Sequence, residues 1–258
     1  MFCALRHSDE REAERRMSDT PQAVEAATLI RQALAQGKSA LDEPTAKSLF
    51  ATYGIPIPEG AMARSEAEAV TTAAALGGKV AMKGVAAEIH HKTEAGLVIL
   101  GVSADDAEEV ARTYRLLVER AAGALEGVLV ERVVAGEREF MVGMKRDRAF
   151  GPVVAFGLGG VLTEALADIV LAVAPVSDPE ARELPSLIRA KKLLGAFRGY
   201  PEVDRDALAR IIQAIGRMAL EHPEIAEIDV NPLLVENGRP VAADALVILR
   251  EAVGEETE

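Results

Sequence analysis

The chain has 258 residues, with 41 acidic against 29 basic and a formal charge of -12; a surface that acidic repels phosphate backbones, so nucleic acid is not an expected partner. Apolar residues make up 49% and aromatics only 3%, with no Trp, which excludes disorder and base-stacking platforms and leaves a core of aliphatic side chains. The single cysteine, Cys3, forms neither an internal disulfide nor a cysteine metal cluster, so a reducing cytoplasm is the expected setting.

No apolar run reaches the ~18 residues of a membrane-crossing helix. Met1-Phe2-Cys3-Ala4-Leu5 is broken by Arg6, Asp9, Glu10 and Arg11, so neither a membrane partner nor a secretion signal is expected. Residues 1–22 read as a disordered arm, with Met17, behind Arg15-Arg16, as an alternative start. Val24, Ala27, Ile30 and Leu34 recur at helical spacing over 22–36. A second helix opens at Asp42-Glu43-Pro44, buries Ala46, Leu49 and Phe50, and ends at Tyr53-Gly54 before an extended Ile55-Pro56-Ile57-Pro58. Ser65 and Glu68 form a capping-box pattern for a third helix, which Gly77-Gly78 stops ahead of a strand at Val80-Ala81-Met82.

A strand over 97–102, a helix over 104–122 and a strand over 127–130 follow. Residues 140–144 and 153–156 read as strands joined by Lys145-Arg146-Asp147-Arg148. Helices are expected over 185–194 and 204–221, then strands over 225–230, 233–235 and 241–249, with Asn237-Gly238 as a hairpin turn. The interleaving implies an α/β fold with mixed sheets, without repeats or a low-complexity linker.

Two common phosphate loops are absent. Gly157-Leu158-Gly159-Gly160 follows a strand but has Leu162 where the dinucleotide fingerprint needs glycine; Gly37-Lys38-Ser39 has Gln32 at the first P-loop glycine, and Gly77-Gly78-Lys79 runs into Val80. The glycines at 157, 159 and 160 either let backbone N–H groups approach an anion or permit a tight turn. In Glu227-Ile228-Asp229-Val230-Asn231-Pro232, alternation puts Glu227, Asp229 and Asn231 on one face, and Asp244 on the returning strand is expected opposite them. Such oxygens suit a hard divalent cation; a solvated polar face is the competing reading. Lys83 at the end of its strand is either a phosphate contact or a simple strand-end cation. Glu131 and Glu139, around Arg132-Val133-Val134-Ala135-Gly136, suit a nucleotide base and ribose or a charged surface turn. His90-His91-Lys92 lies in a loop, and the neighbouring ammonium favours a neutral, nucleophilic imidazole, although inert loop histidines share that pattern.

Taken together, these segments resemble one family. From about Leu41 to Leu249 the chain is similar to the ATP-grasp beta subunit of ADP-forming acyl-CoA (acetate-CoA) synthetases, relatives of succinyl-CoA synthetase beta. The resemblance rests on Glu43-Pro44-Thr45-Ala46-Lys47, Tyr53-Gly54-Ile55-Pro56, Met82-Lys83, His91-Lys92-Thr93-Glu94-Ala95-Gly96, Leu129-Val130-Glu131, Gly136-Glu137-Arg138-Glu139, Phe150-Gly151-Pro152, Phe156-Gly157-Leu158-Gly159-Gly160, Arg198-Gly199 and the 227–232 segment, in that order. It implies an ATP-grasp fold whose two lobes, 23–127 with flanking helices and 128–258, clasp ATP or ADP. Carried over by position, Lys83 contacts the phosphates, Glu131 and Val134 the adenine, and Glu139, Gly159 and Gly160 the nucleotide, while Asn231 and Asp244 ligate Mg2+. His91 carries a shuttling phosphate, with Asp229 as its acidic partner.

The resemblance further implies a ligase that interconverts acyl-CoA + ADP + phosphate with carboxylate + CoA + ATP. No segment resembles the CoA-binding domains of that class, so a CoA-binding alpha subunit is the expected partner, binding CoA and the carboxylate. Two departures stand out: Ala172 replaces a common arginine ahead of Ala174-Pro175, and Leu97 replaces a common second glycine after Gly96. They keep two other readings open, a non-catalytic nucleotide-binding regulatory module and an ATP-grasp carboxylate ligase of another kind.

Overall fold

A computed structural model describes residues 20–86, 95–123, 125–136, 138–160, 166–196 and 198–250. In chain order its elements are α1 (Pro21–Ala35), β1 (Ala40–Leu41), α2 (Glu43–Thr52), β2 (Gly60–Ala63), α3 (Glu66–Leu76), β3 (Lys79–Ala86), β4 (Val98–Ser103), α4 (Ala107–Arg120) and β5 (Leu125–Arg132). They continue with β6 (Glu139–Asp147), β7 (Gly151–Leu158), β8 (Ile169–Val173), α5 (Asp178–Glu183), α6 (Arg205–Glu221), β9 (Ile225–Glu236), β10 (Arg239–Ala242) and β11 (Leu246–Leu249). Two compact units emerge. Among the described residues, the smaller takes Asp42–Pro44 and those from Ile57 to Gly136; the larger takes those up to Leu41, Thr45–Pro56 and those from Arg138 onward.

In the smaller unit a four-stranded sheet runs β2-β5-β3-β4 with every pairing antiparallel. Its helices start where short polar side chains satisfy the otherwise orphaned first amides. Ser65 accepts from the Glu68 N–H at 3.2 Å, while the Glu68 carboxylate accepts from the Arg64 N–H at 2.7 Å rather than closing back on Ser65. Asp106 accepts from the Glu108 and Glu109 amides of α4. Val80, Met82, Leu97, Val110, Leu117, Val128 and Val130 form the core. Leu97 is fully buried in it, so the departure from glycine there is a packing residue.

The larger unit holds a seven-stranded antiparallel sheet, ordered β1-β11-β9-β6-β7-β8, with β10 also paired to β9. Alternation sends Phe140, Val142, Phe156, Ile228 and Val230 to one buried face, where Phe140 and Phe156 stack at 5.5 Å. Helix α6 covers β6 and β7 with Leu208, Ile211, Ile212, Ile215 and Met218, apolar at three- and four-residue steps. The opposite face of β6 to β9 carries the residues discussed below.

Several sequence expectations are corrected. The helix expected over 185–194 is two 3₁₀ turns, Leu184–Leu187 and Lys191–Leu194. Pro185 has no amide to give, and the Asp168 carboxylate takes the Arg189 and Ala190 N–H groups at 2.8 Å each, removing them from any helical ladder. The two strands expected on either side of Pro232 are one continuous β9, which carries an extra residue there: Phe140 pairs Leu233 and Val142 pairs Val230. The strand expected over 241–249 is broken into β10 and β11 by Ala243–Ala245, so Asp244 lies on a short link and not on a returning strand. Strands β1, β2 and β8 and helix α5 were not expected.

Candidate functional site

Lys83 does not end its strand, because β3 runs on to Ala86; it sits inside the sheet, 7% exposed. Its Nζ donates to Glu43 Oε1 at 2.7 Å and lies 2.8 Å from Glu131 Oε1. Glu43 comes from the first turn of α2 and Glu131 from β5, the strand paired with β3. Their carboxylates are 1% and 4% exposed, which rules out the surface-turn reading of Glu131. Val134 follows two residues past the strand end, buried at 8%, with its carbonyl accepting from the Gly136 N–H. Glu43 opens the Glu43-Pro44-Thr45-Ala46-Lys47 segment, and nothing in its spacing reveals the ion pair, which joins positions 40 residues apart.

In the larger unit, Glu227, Asp229 and Asn231 do share one face of β9. Register then gives a row across the sheet, in which Leu246 lies opposite Asp229, Asp229 opposite Gly143, Gly143 opposite Ala155 and Ala155 opposite Leu171. The two smallest residues of the row, Gly143 and then Ala155, follow Asp229 in turn. They floor a trough of about 790 Å³ lined by Met141, Val153, Leu171 and Val173 among its apolar residues and by Lys145, Glu227, Asp229 and Asn231 among its polar ones. Gly143 and Ala155 escaped the sequence reading, although extending the alternation of β9 to its neighbours would have found them.

Asn231, Gly160, Gly159 and Glu139 are brought together. The Gly160 N–H donates to Asn231 Oδ1 at 2.9 Å, and the Gly159 N–H to the Glu139 carbonyl at 2.9 Å. Gly160 has φ of +65°, and a Cβ there would fall on the Glu139 carboxylate. The glycine pair therefore fixes the Asn231 amide and makes room for Glu139. Asp244 Oδ1 accepts from the Ala245 N–H at 2.8 Å. His91 lies outside the described residues.

Burial pushes the Asp229 carboxyl up to about 6, helped by the neighbouring charges of Asp244 and Glu227. Asp229 Oδ1 is buried without a hydrogen-bond partner among the described residues. A cation beside these carboxylates relieves their repulsion, and Asn231 and Asp244 offer the hard oxygen donors that Mg2+ takes, leaving the Asp229 oxygen open to a hydrogen-bond donor. Among the described residues no three His, Cys, Asp or Glu side chains gather as a metal cage.

Residues 32–249 match the ATP-grasp domain family. The chain is 41% identical over 226 residues to the beta subunit of acetate–CoA ligase [ADP-forming] I of Pyrococcus furiosus, covering 86% of this chain and 96% of that one. Against acetate–CoA ligase [ADP-forming] I of Archaeoglobus fulgidus it is 36% identical over 78% of its length but spans only 30% of that longer chain. It also superposes, with TM-score 0.77 and 34% identity over 87% of this chain and the whole of the other, on a dinucleotide-forming acetyl-coenzyme A synthetase 1 from Ca. Korarchaeum cryptofilum. That structure was solved with coenzyme A and Mg-AMPPCP, its phosphohistidine segment pointing towards the nucleotide binding site.

The chain belongs to the ATP-grasp family. Within it, the chain is a homologue of the beta subunits of ADP-forming acyl-CoA synthetases, a class of ligases.

Proposed function

We propose that the chain is the ATP-grasp subunit of an ADP-forming acyl-CoA synthetase and moves a phosphoryl group between ATP and an imidazole of its own, that of His91. The observation that carries this reading is the 41% identity, over 86% of this chain, to a beta subunit of an ADP-forming acetate–CoA ligase. Lys83 meets the triphosphate. The Glu131 side chain is engaged by Lys83, so the adenine contact falls to the backbone of the 131–134 segment, and Glu139 takes the ribose. Asn231 and Asp244 would hold Mg2+, which when bound neutralises charge on the phosphates. Gly159 and Gly160 serve the nucleotide by holding Asn231 and Glu139 in place.

In the transfer step the His91 imidazole attacks the γ-phosphorus. The P–N bond forms as the P–O bond to ADP breaks, and the electron pair leaves with ADP. Asp229 accepts the N–H of the other ring nitrogen and offsets the positive charge that develops on the ring. The phosphohistidine then passes its phosphoryl group to a carboxylate, and CoA displaces phosphate from the acyl phosphate, completing carboxylate + CoA + ATP ⇌ acyl-CoA + ADP + phosphate. A CoA-binding alpha subunit supplies the CoA and carboxylate sites. The test is incubation with that partner and γ-labelled ATP: acid-labile label on His91, lost with turnover in His91→Ala, is expected, and undiminished turnover by His91→Ala contradicts the assignment.

A further inference from the structure

We propose that Glu43 is a positioning residue that aims the Lys83 ammonium at the triphosphate, an inference that rests on the assignment of Lys83 to the phosphates. A lysine carries its charge on a flexible four-carbon stem, and a free ammonium samples many rotamers. Here the head group is gripped from two elements, by Glu43 of α2 at 2.7 Å and by Glu131 of β5 at 2.8 Å, with all three side chains 9% exposed or less. Both bonds are charge-assisted, short and shielded from water, and two anchors on different elements fix a direction where one would leave a swivel.

The surroundings are shaped to keep the grip. Glu43 occupies the first turn of α2, where the helix dipole favours a carboxylate and keeps it a strong acceptor. Gly60 of β2 lies opposite Glu131, and no side chain fits there, since a Cβ would approach the Glu131 Cβ and the Val130 carbonyl oxygen at 2.6 Å each. Stability alone does not call for such an arrangement, because apolar residues of similar volume commonly replace a buried ion pair without loss. Placement of the ammonium does.

Calorimetry on the full-length chain with Mg2+ separates placement from packing, using ATP and AMP as titrants. The triphosphate feels Lys83 and the monophosphate largely does not. Glu43→Met keeps the volume and removes the anchor; ATP affinity should fall on the order of tenfold, the equivalent of one lost charge-assisted bond, with AMP affinity unchanged. Glu43→Gln keeps a neutral acceptor, and about a threefold loss confined to ATP is expected; this variant alone decides if Glu43→Met does not fold. Unchanged ATP affinity, or equal losses for ATP and AMP, overturns the proposal. Lys83→Met is the control for the underlying assignment: if it binds ATP like wild type, the phosphate role of Lys83 fails, whereas an ATP-selective defect in Lys83→Met but in neither Glu43 variant removes Glu43 alone.

Discussion

Replacing Lys83 by methionine keeps the volume of the stem but leaves Glu43 and Glu131 facing each other, 1% and 4% exposed, without the ammonium they share. Removing one partner of a buried ion pair typically destabilises by about 3 to 5 kcal/mol, because the remaining charge is both desolvated and uncompensated. Two carboxylates touching the same nitrogen also repel each other when it is gone, so Lys83→Met is expected to lose an amount within that range. If charge is the cause, removing the charges should restore stability. The triple variant Lys83→Met, Glu43→Gln, Glu131→Gln is therefore expected to regain at least about half of the loss, as buried ion pairs replaced wholesale are often neutral. Urea unfolding of the full-length chain without nucleotide measures both quantities. A single variant that loses less than about 1 kcal/mol, or a triple variant no more stable than the single, would refute the reasoning.

Three further outcomes follow from particular contacts. His222, the cap of α6, is held below its ordinary pKa chiefly by burial, and its Nε2 lies 2.9 Å from the Tyr53 hydroxyl. Its neutral form is thus the folded one: the contribution is complete above about pH 6.5, where the unfolded histidine is neutral too, and is lost as pH falls. The urea midpoint should drop between pH 7 and pH 5, and His222→Gln should flatten that drop. Gly160→Ala forces a methyl into the Glu139 carboxylate at φ +65°; Mg2+-dependent ATP binding should weaken at least about tenfold through loss of the Asn231 contact. Ala155→Leu fills the trough beside the Gly143 and Asp229 pair; ATP affinity should hold while label transfer to His91 falls by about tenfold or more, measured in a single-turnover assay.

The sequence was informative where local chemistry decides structure. Ser65 caps its helix by accepting the Glu68 amide, as its spacing indicated, and the apolar stripe of α6 falls where its 3.6 period puts it. The shared face of Glu227, Asp229 and Asn231 followed from alternation alone. It failed where a distant residue intervenes: Asp168 dismantles a helix some 20 positions away, and the break of the returning chain into β10 and β11 at Ala243–Ala245 left no mark in its apolar pattern. β8 was missed because Ile169-Val170-Leu171-Ala172-Val173 is apolar on both faces and has no alternation to read. Among site residues, Lys83 and Glu131 were named from a family resemblance, but their mutual contact and its third member, Glu43, depend on strand pairing that no local pattern encodes.

The central claim is that this chain passes phosphate between nucleotide and its own imidazole, a half-reaction that needs neither CoA nor carboxylate. Exchange of labelled ADP into ATP by the purified chain with Mg2+ tests it most directly. The account predicts exchange in the wild type and none in His91→Ala; exchange that persists in His91→Ala, or its absence in folded, nucleotide-binding wild type, would contradict it.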